Sequence, residues 1–476
     1  MIQWRPVLFF VSVICVAIAL ISCGGGSSST LSHSPGRINH VVIIFQENRT
    51  PDNLFHDQVL MNRGADIATT GQTSTGQTIT LTSVPLVTTY DLGHSHNAFL
   101  QACQWNGSAC QMNGSDLVQC SGTGCPADAS FQYVQASDVM PYYTMAETYT
   151  FSDRMFQTNE GPSFPAHQFI LSGTSAISET STVFVADNPA ENLRPDGSYG
   201  AGCLAPSGSV LNLLDTSQPF PNQDYQELDG QECFEHPTLT DVLDAKGLTW
   251  KYYAALPGDI WTAPNAIQHM CQPTSGNDNS CSGADWTATD PKVVIEGTGA
   301  QVITDIQAGQ LASVTWVIPD GAASDHADGN QGLGPSWVAS IVNAIGQSPF
   351  WADTAIIVTW DDWGGWYDHV APAIRGTNSY EYGFRVPLIV ISPYAKSQYV
   401  SHQVNDFGSI LKFVEETFGL PQIDPAVGYA DSYAPGDLSD CFDLNQTPLT
   451  FTPISAPQNA QFFIHNKSKP TPPDTD

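Results

Sequence analysis

Apolar residues concentrate in four short runs, residues 38–46 (INHVVIIFQ), 313–319 (SVTWVIP), 354–359 (TAIIVT) and 386–392 (VPLIVIS). β-Branched and apolar side chains fill successive positions in each run, which predicts strands buried on both faces inside a parallel sheet. Residues 337–345 carry apolar side chains at helical spacing, and residues 406–418 open on an N-cap aspartate before another helical pattern. A further strand is predicted over residues 81–89. Strands alternating with helices predict a doubly wound α/β domain, with a mostly parallel central sheet and helices on both faces.

Polar residues gather where these runs stop. The run 354–359 leads into Asp361, Asp362, Gly364, Gly365, Asp368 and His369, and the run 38–46 leads into Glu47, Asn48 and Arg49. After the run 313–319 come Asp320, Asp325, His326 and Asp328. Open α/β sheets bind ligands beyond the carboxyl ends of their strands, so Glu47, Asn48, Asp361, Asp362 and His326 are expected to converge on one crevice. Adjacent carboxylates repel, and keeping both ionised needs a cation or a basic partner. Taken alone, residues 354–370 fit a surface turn with a Trp-rich edge as well as they fit a metal or catalytic site. The same arrangement at other strand ends favours the site.

Composition narrows the setting. The formal charge of -32, with 15 Lys and Arg against 47 Asp and Glu, argues against nucleic acid as a partner, since its binding relies on basic side chains. A phosphate-handling site in such a chain must draw positive charge from a metal, histidine or backbone N–H groups. Residues 1–22 place Arg5 before an apolar run and read as an export signal; Leu20-Ile21-Ser22-Cys23 fits a lipoprotein-type cleavage site that leaves Cys23 lipidated. Residues 23–37 are then a flexible Gly/Ser tether holding the folded part off a membrane, and the protein is exported, either membrane-anchored or free outside the cytoplasm. Setting Cys15 and Cys23 aside from the 11 cysteines leaves nine, whose clustering predicts disulfides of an oxidising compartment rather than zinc sites, with Cys441 the thiol left over. One large domain over residues 38–449 is expected, decorated by loop-rich, disulfide-bearing insertions at 65–84, 102–129, 182–232 and 256–297. The Pro-rich residues 450–476 are expected to be a disordered tail.

Several motifs now carry a resemblance. Glu47-Asn48-Arg49-Thr50-Pro51-Asp52, Gly93-His94-Ser95, Pro162-Ser163-Phe164-Pro165 with Leu171-Ser172-Gly173-Thr174 after it, Asp325-His326, residues 361–369 and residues 385–393 occur in that order. In this the chain resembles the bacterial phosphoesterase family of non-specific phospholipases C and acid phosphatases, within the alkaline-phosphatase-like superfamily. The resemblance implies an alkaline-phosphatase-like fold and hydrolysis of phosphoesters, either a phospholipid headgroup linkage or a monoester. It implies that Glu47, Asn48, Asp361 and Asp362 bind a divalent metal and that Ser163 is the nucleophile, transiently phosphorylated. It implies that His326 bonds phosphate or protonates the leaving alcohol and that His94 assists. Arg49, Asp325 and His369 are expected to bind substrate, with two alternatives open: Arg49 pairs with a carboxylate and holds its loop, and His369 braces the glycine loop. Carboxylate and amide ligands favour Mg, Ca or Mn, and a histidine joining them would admit Zn or Fe.

The chain also departs from the family pattern. Asp362 stands where glutamate is usual, Trp363 where histidine is common, and Ala166-His167 where Asn-Arg is expected, which removes a histidine and an arginine from the neighbourhood of the site. The competing function is a lipid-anchored surface binding protein of the same fold without turnover.

Overall fold

The computed structural model describes residue 1 and residues 37–190, 193–194, 198–219, 225–229, 232–274, 280–374 and 380–473. The expected export signal, Cys23 and nearly all of the tether lie outside the described residues. Eight strands form the central sheet: β1 (His40–Gln46), β2 (Thr150–Ser152), β3 (Trp250–Ala254), β4 (Val293–Ile295), β5 (Val314–Val317), β6 (Thr354–Trp360), β7 (Leu388–Ile391) and β8 (Tyr399–Ser401). Their order is β4-β3-β5-β1-β6-β7-β2-β8. Every neighbouring pair is parallel except those that β7 makes with β6 and β2, so the sheet is mostly parallel, as expected.

Side-chain alternation shows that both faces are covered. Ile43 on β1 sits level with Trp316 on β5 and Ile357 on β6, and Trp316 donates its indole N–H to Ile170 O at 3.2 Å. Ile170 belongs to α2 (Ser163–Ser172), which follows α1 (Ala136–Thr148) in the chain. Trp360 lies three residues beyond Ile357 and therefore on the opposite face. Its ring meets Tyr142 of α1 edge-on at 5.2 Å. One helical layer holds α1, α3 (Gln301–Gln307), α4 (Gly334–Gly346) and, near the C-terminus, α6 (Ala460–His465); the other holds α2 and α5 (Phe407–Phe418). Helix α5 starts as its sequence demands, with Asp406 accepting from the Ser409 N–H at 2.8 Å.

The structure corrects three expectations. The strand predicted over 81–89 shrinks to Thr82–Val84, because Pro85 has no N–H for a ladder. The insertion predicted over 256–297 ends early: Val293–Ile295 joins the central sheet as β4, pairing with β3. Residues 450–473 do not behave as a disordered tail. Asn343 exchanges two hydrogen bonds with Ile454, and α6 buries Phe463 against α3 and α4. Disulfides link Cys103 to Cys110, Cys120 to Cys125, Cys203 to Cys233 and Cys271 to Cys281, while Cys441 is a buried free thiol.

Candidate active site

β1 and β6 run side by side to a common end, with Gln46 opposite Trp360. The ladder extends one residue further through the Asp361 N–H, which donates to Gln46 O at 2.9 Å. Glu47 and Asp361 therefore leave the sheet together. Asn48 turns into the left-handed region at φ 59°, a conformation asparagine tolerates, and its N–H donates to Asp361 Oδ1 at 2.8 Å. Gly364 and Gly365 also have positive φ; a Cβ on Gly364 would stand 2.4 Å from Asn48 O, so the two loops approach as closely as they do only over glycine. Asp362 Oδ1 accepts from the Gly364 N–H at 2.7 Å, which leaves Oδ2 to receive the Ser163 hydroxyl at 3.2 Å.

Ser163 opens α2, and one helical turn later the same face presents His167. His167 Nε2 lies 3.3 Å from Glu47 Oε1 and 4.0 Å from Asp361 Oδ2, and its ring packs edge-on against Phe45 at 4.8 Å. The sequence suggested that Ala166-His167 strips a basic group from the site; the structure instead brings an imidazole into the acid cluster. The sequence signal for it is the Ser163-to-His167 spacing of four within one helical stretch.

Burial dominates the electrostatics. Glu47 is held well above the usual carboxylate range by burial and then by the charge of Asp361, and Asp362 is raised by burial and the same neighbour. Burial pulls His167 down to about 4, against the opposing pull of Asp361, so the ring is neutral and able to donate a lone pair. Glu47 Oε2, Asn48 Oδ1 and Asp361 Oδ2 are buried without a hydrogen-bond partner among the described residues. Three unpartnered oxygens beside a neutral imidazole form an expensive arrangement for protein alone and an ordinary donor set for a divalent cation. Glu47, Asn48, His167 and Asp361 thus fit a metal, whereas Asp362, expected beside them, has both oxygens engaged by the Gly364 N–H and the Ser163 hydroxyl.

The two candidate histidines flank this cluster. His94 Nδ1 donates to Leu92 O at 2.8 Å, so its Nε2 accepts from the Asn48 amide at 3.1 Å and turns Asn48 Oδ1 toward the acids. The His326 ring lies 5.5 Å from His94 and 6.3 Å from Trp261, with Nδ1 donating to Ala327 O at 2.5 Å. Trp261 and His326 line a cavity of about 200 Å³.

Other expected site residues are placed elsewhere. Arg49 spends its guanidinium on Asp325 O, Leu86 O and Asn53 Oδ1 and stacks over Trp366 at 4.9 Å, so it braces the loops instead of facing substrate. The Asp325 carboxylate accepts from Tyr142 and Trp360 beneath the sheet end; burial pushes it up to about 6, with Arg49 opposing. His369 bonds Asp52 at 2.7 Å and Asp66 at 2.9 Å. Trp363 is fully buried against Phe99, Phe384 and the Cys103–Cys110 disulfide, anchoring an insertion to the Asp361–His369 loop.

A model of the phosphoesterase family matches residues 38–421. Among similar proteins, a non-hemolytic phospholipase C of Pseudomonas aeruginosa is 22% identical over 385 residues, covering 73% of this chain and 49% of that protein. Phospholipase C A of Mycobacterium tuberculosis is 23% identical over 461 residues, covering 87% of this chain and 79% of that one. The chain thus spans about half the length of the Pseudomonas relative. Among solved structures, a protein of the alkaline phosphatase superfamily from Vibrio parahaemolyticus aligns with TM-score 0.33 and 10% identity, covering 85% of this chain and 70% of that one.

Proposed function

The chain belongs to the phosphoesterase family, and on that premise we propose that it hydrolyses phosphoric esters of the phospholipase C or acid phosphatase type through Ser163. One observation carries the reading: the Ser163 hydroxyl donates to Asp362 Oδ2 at 3.2 Å, beside the three unpartnered oxygens of Glu47, Asn48 and Asp361.

Asp362 orients the Ser163 hydroxyl and takes its proton, a task suited to a carboxyl whose burial raises its proton affinity. Ser163 Oγ attacks phosphorus, the P–O bond to the alcohol breaks, and His326 supplies the proton that the departing alcoholate needs. Water then attacks the phosphoserine, its proton passing to His326, and Ser163 regains its own from Asp362 as inorganic phosphate or a phosphomonoester leaves. His94 holds the Asn48 amide, so that its oxygen faces the acids. Glu47, Asn48, His167 and Asp361 would hold a divalent cation, which when bound neutralises these carboxylates and the charge on the transferring phosphoryl group. The four disulfides support export to an oxidising compartment, and a lipid on Cys23 would anchor the protein to a membrane there; lipid labelling lost in Cys23→Ser tests that anchor.

The wild type is expected to hydrolyse p-nitrophenyl phosphate or phosphatidylcholine with added Mg²⁺, Ca²⁺, Mn²⁺, Zn²⁺ or Fe²⁺, and Ser163→Ala to lose at least about 10³-fold in kcat without loss of stability. Failure on both substrates across acid and neutral pH, or a Ser163→Ala variant of undiminished rate, would overturn the proposal. The relative rates separate lipase from phosphatase.

A further inference from the structure

The reacting groups are almost sealed, with Ser163 and His94 each 1% exposed and His326 3%. The cavity that reaches His326 is bounded by Trp261, Ser324, Asn330 and, from the far end of the chain, Pro472 and Pro473. We propose that residues 466–473 form a strap over the reaction centre, which docks on the Asp320–Gly321 turn and limits the size of the ester that reaches Ser163. The assignment of that centre rests on the function proposed above.

The strap has an anchor, a tether and a clasp. Helix α6 is the anchor: Phe463 is buried, and the preceding Gln458 N–H donates to Ser336 Oγ of α4 at 3.2 Å. Lys467, Ser468 and Lys469 are exposed, and the hydrogen bond this stretch makes among the described residues, Ser468 N–H to Asn466 Oδ1, is local. A short tether held by so little opens at low cost. At the clasp the Thr471 N–H donates to Asp320 Oδ2 at 3.0 Å, and the Gly321 N–H donates back to Thr471 O at 2.9 Å. A Cβ on Gly321 would stand 2.6 Å from Pro472 O, so the turn that leads to Asp325 and His326 is shaped to receive this backbone. Beyond the clasp, Pro473 is buried at the cavity wall.

Clasp and cavity share one short loop, so an ester larger than the cavity reaches Ser163 only when the clasp opens. Three p-nitrophenyl esters that share a leaving group and differ in retained bulk test this: p-nitrophenyl phosphate, p-nitrophenyl phosphocholine and p-nitrophenyl hexadecyl phosphate. Two variants open the strap: a chain stopped after Asn466, which keeps α6, and Thr471→Pro, which removes the N–H of the clasp. Both are expected to raise kcat/KM on the hexadecyl ester about tenfold relative to the smallest ester that the wild type hydrolyses. Both should also speed amide hydrogen exchange at residues 320–324 by at least about tenfold. An unchanged ratio, or no turnover of the hexadecyl ester by any form, overturns the size limit. A wild type inert on all three esters overturns the phosphoesterase reading instead; the strap then stands on exchange alone, and equal exchange in all three proteins overturns it.

Discussion

Two buried acid clusters lie at opposite ends of the same loop, and the chain treats them in opposite ways. At Asp368, Arg385 pairs with Asp368 at 2.8 Å and with Asp52 at 3.2 Å, while His369 bonds Asp52 and Asp66. Arg385 also donates to the backbone oxygens of Asp66 and Asp153, and Arg154 pairs with Asp66. Seven residues earlier, Asp361 meets Glu47 and Asp362 with no Lys or Arg ion pair among the described residues, and its imidazole neighbour is kept neutral by burial. Asp52, Asp368 and His369 have the spacing of a metal site, yet Arg385 already occupies their charge. With 15 basic residues against 47 acidic ones, the chain places its own cations where they hold the fold and withholds them where an outside cation is to be bound.

Breaking the first cluster should cost the most. Arg385→Met leaves Asp368 buried without its ion pair and Asp52 with His369 alone, and removing one partner of such a group typically costs about 3–5 kcal/mol. Urea unfolding of the variant is expected to show that loss with the metal-dependent stabilisation of the other cluster intact; a change below about 1 kcal/mol would mean that Arg385 is not the counter-charge argued here.

The second cluster should respond with the opposite sign. Asp361→Asn keeps the oxygen that accepts from the Asn48 and Asp362 N–H groups and removes one of three crowded carboxyl groups. Without metal, the variant is expected to be more stable than the wild type by about 1 kcal/mol. With metal at 100 times its Kd, the wild type gains about 2.7 kcal/mol and the variant little of it. Replacing His167 by Asn should weaken Zn²⁺ or Mn²⁺ more than Mg²⁺ or Ca²⁺, since imidazole suits the transition ions. Calorimetric titration of each ion into the three proteins reads both effects; a destabilised metal-free Asp361→Asn would sink the comparison.

This contrast was only half legible in the sequence. The strands under Glu47 and Asp361 were readable because β1 and β6 are seven-residue apolar runs, whereas β2 and β8 have three residues each and β3 mixes Lys251 among aromatics. The convergence of Glu47, Asn48, Asp361 and Asp362 followed from strand ends sharing one edge of a parallel sheet. Which acids were already neutralised could not be read that way. Arg385 lies 17 residues from Asp368 and 333 from Asp52 along the chain, so its choice of partners exists only after folding. For the same reason the sequence leaves His369 between bracing the glycine loop and reaching substrate, since nothing near it in sequence announces Asp52 and Asp66.

His369 offers the finest test, because it titrates within a range the folded protein can be measured in. Burial disfavours the charged ring, but the hydrogen bond and charge of Asp52 outweigh it and push the pKa from 6.5 up to about 9. A histidine raised in the folded state contributes stability that is fully present below 6.5 and is lost as pH rises through about 9. His369→Gln can still donate to one carboxylate but carries no charge. The gap in unfolding free energy between wild type and variant is therefore expected to be on the order of 2 kcal/mol at pH 6 and to close by pH 10. Both proteins share Glu47 and Asp362, whose burial-raised values make the metal-free site less favourable as pH rises, so that contribution cancels in the difference. A gap that stays constant from pH 6 to pH 10 would place the His369 interaction in neutral hydrogen bonding, and the first cluster would then rest on its arginines alone.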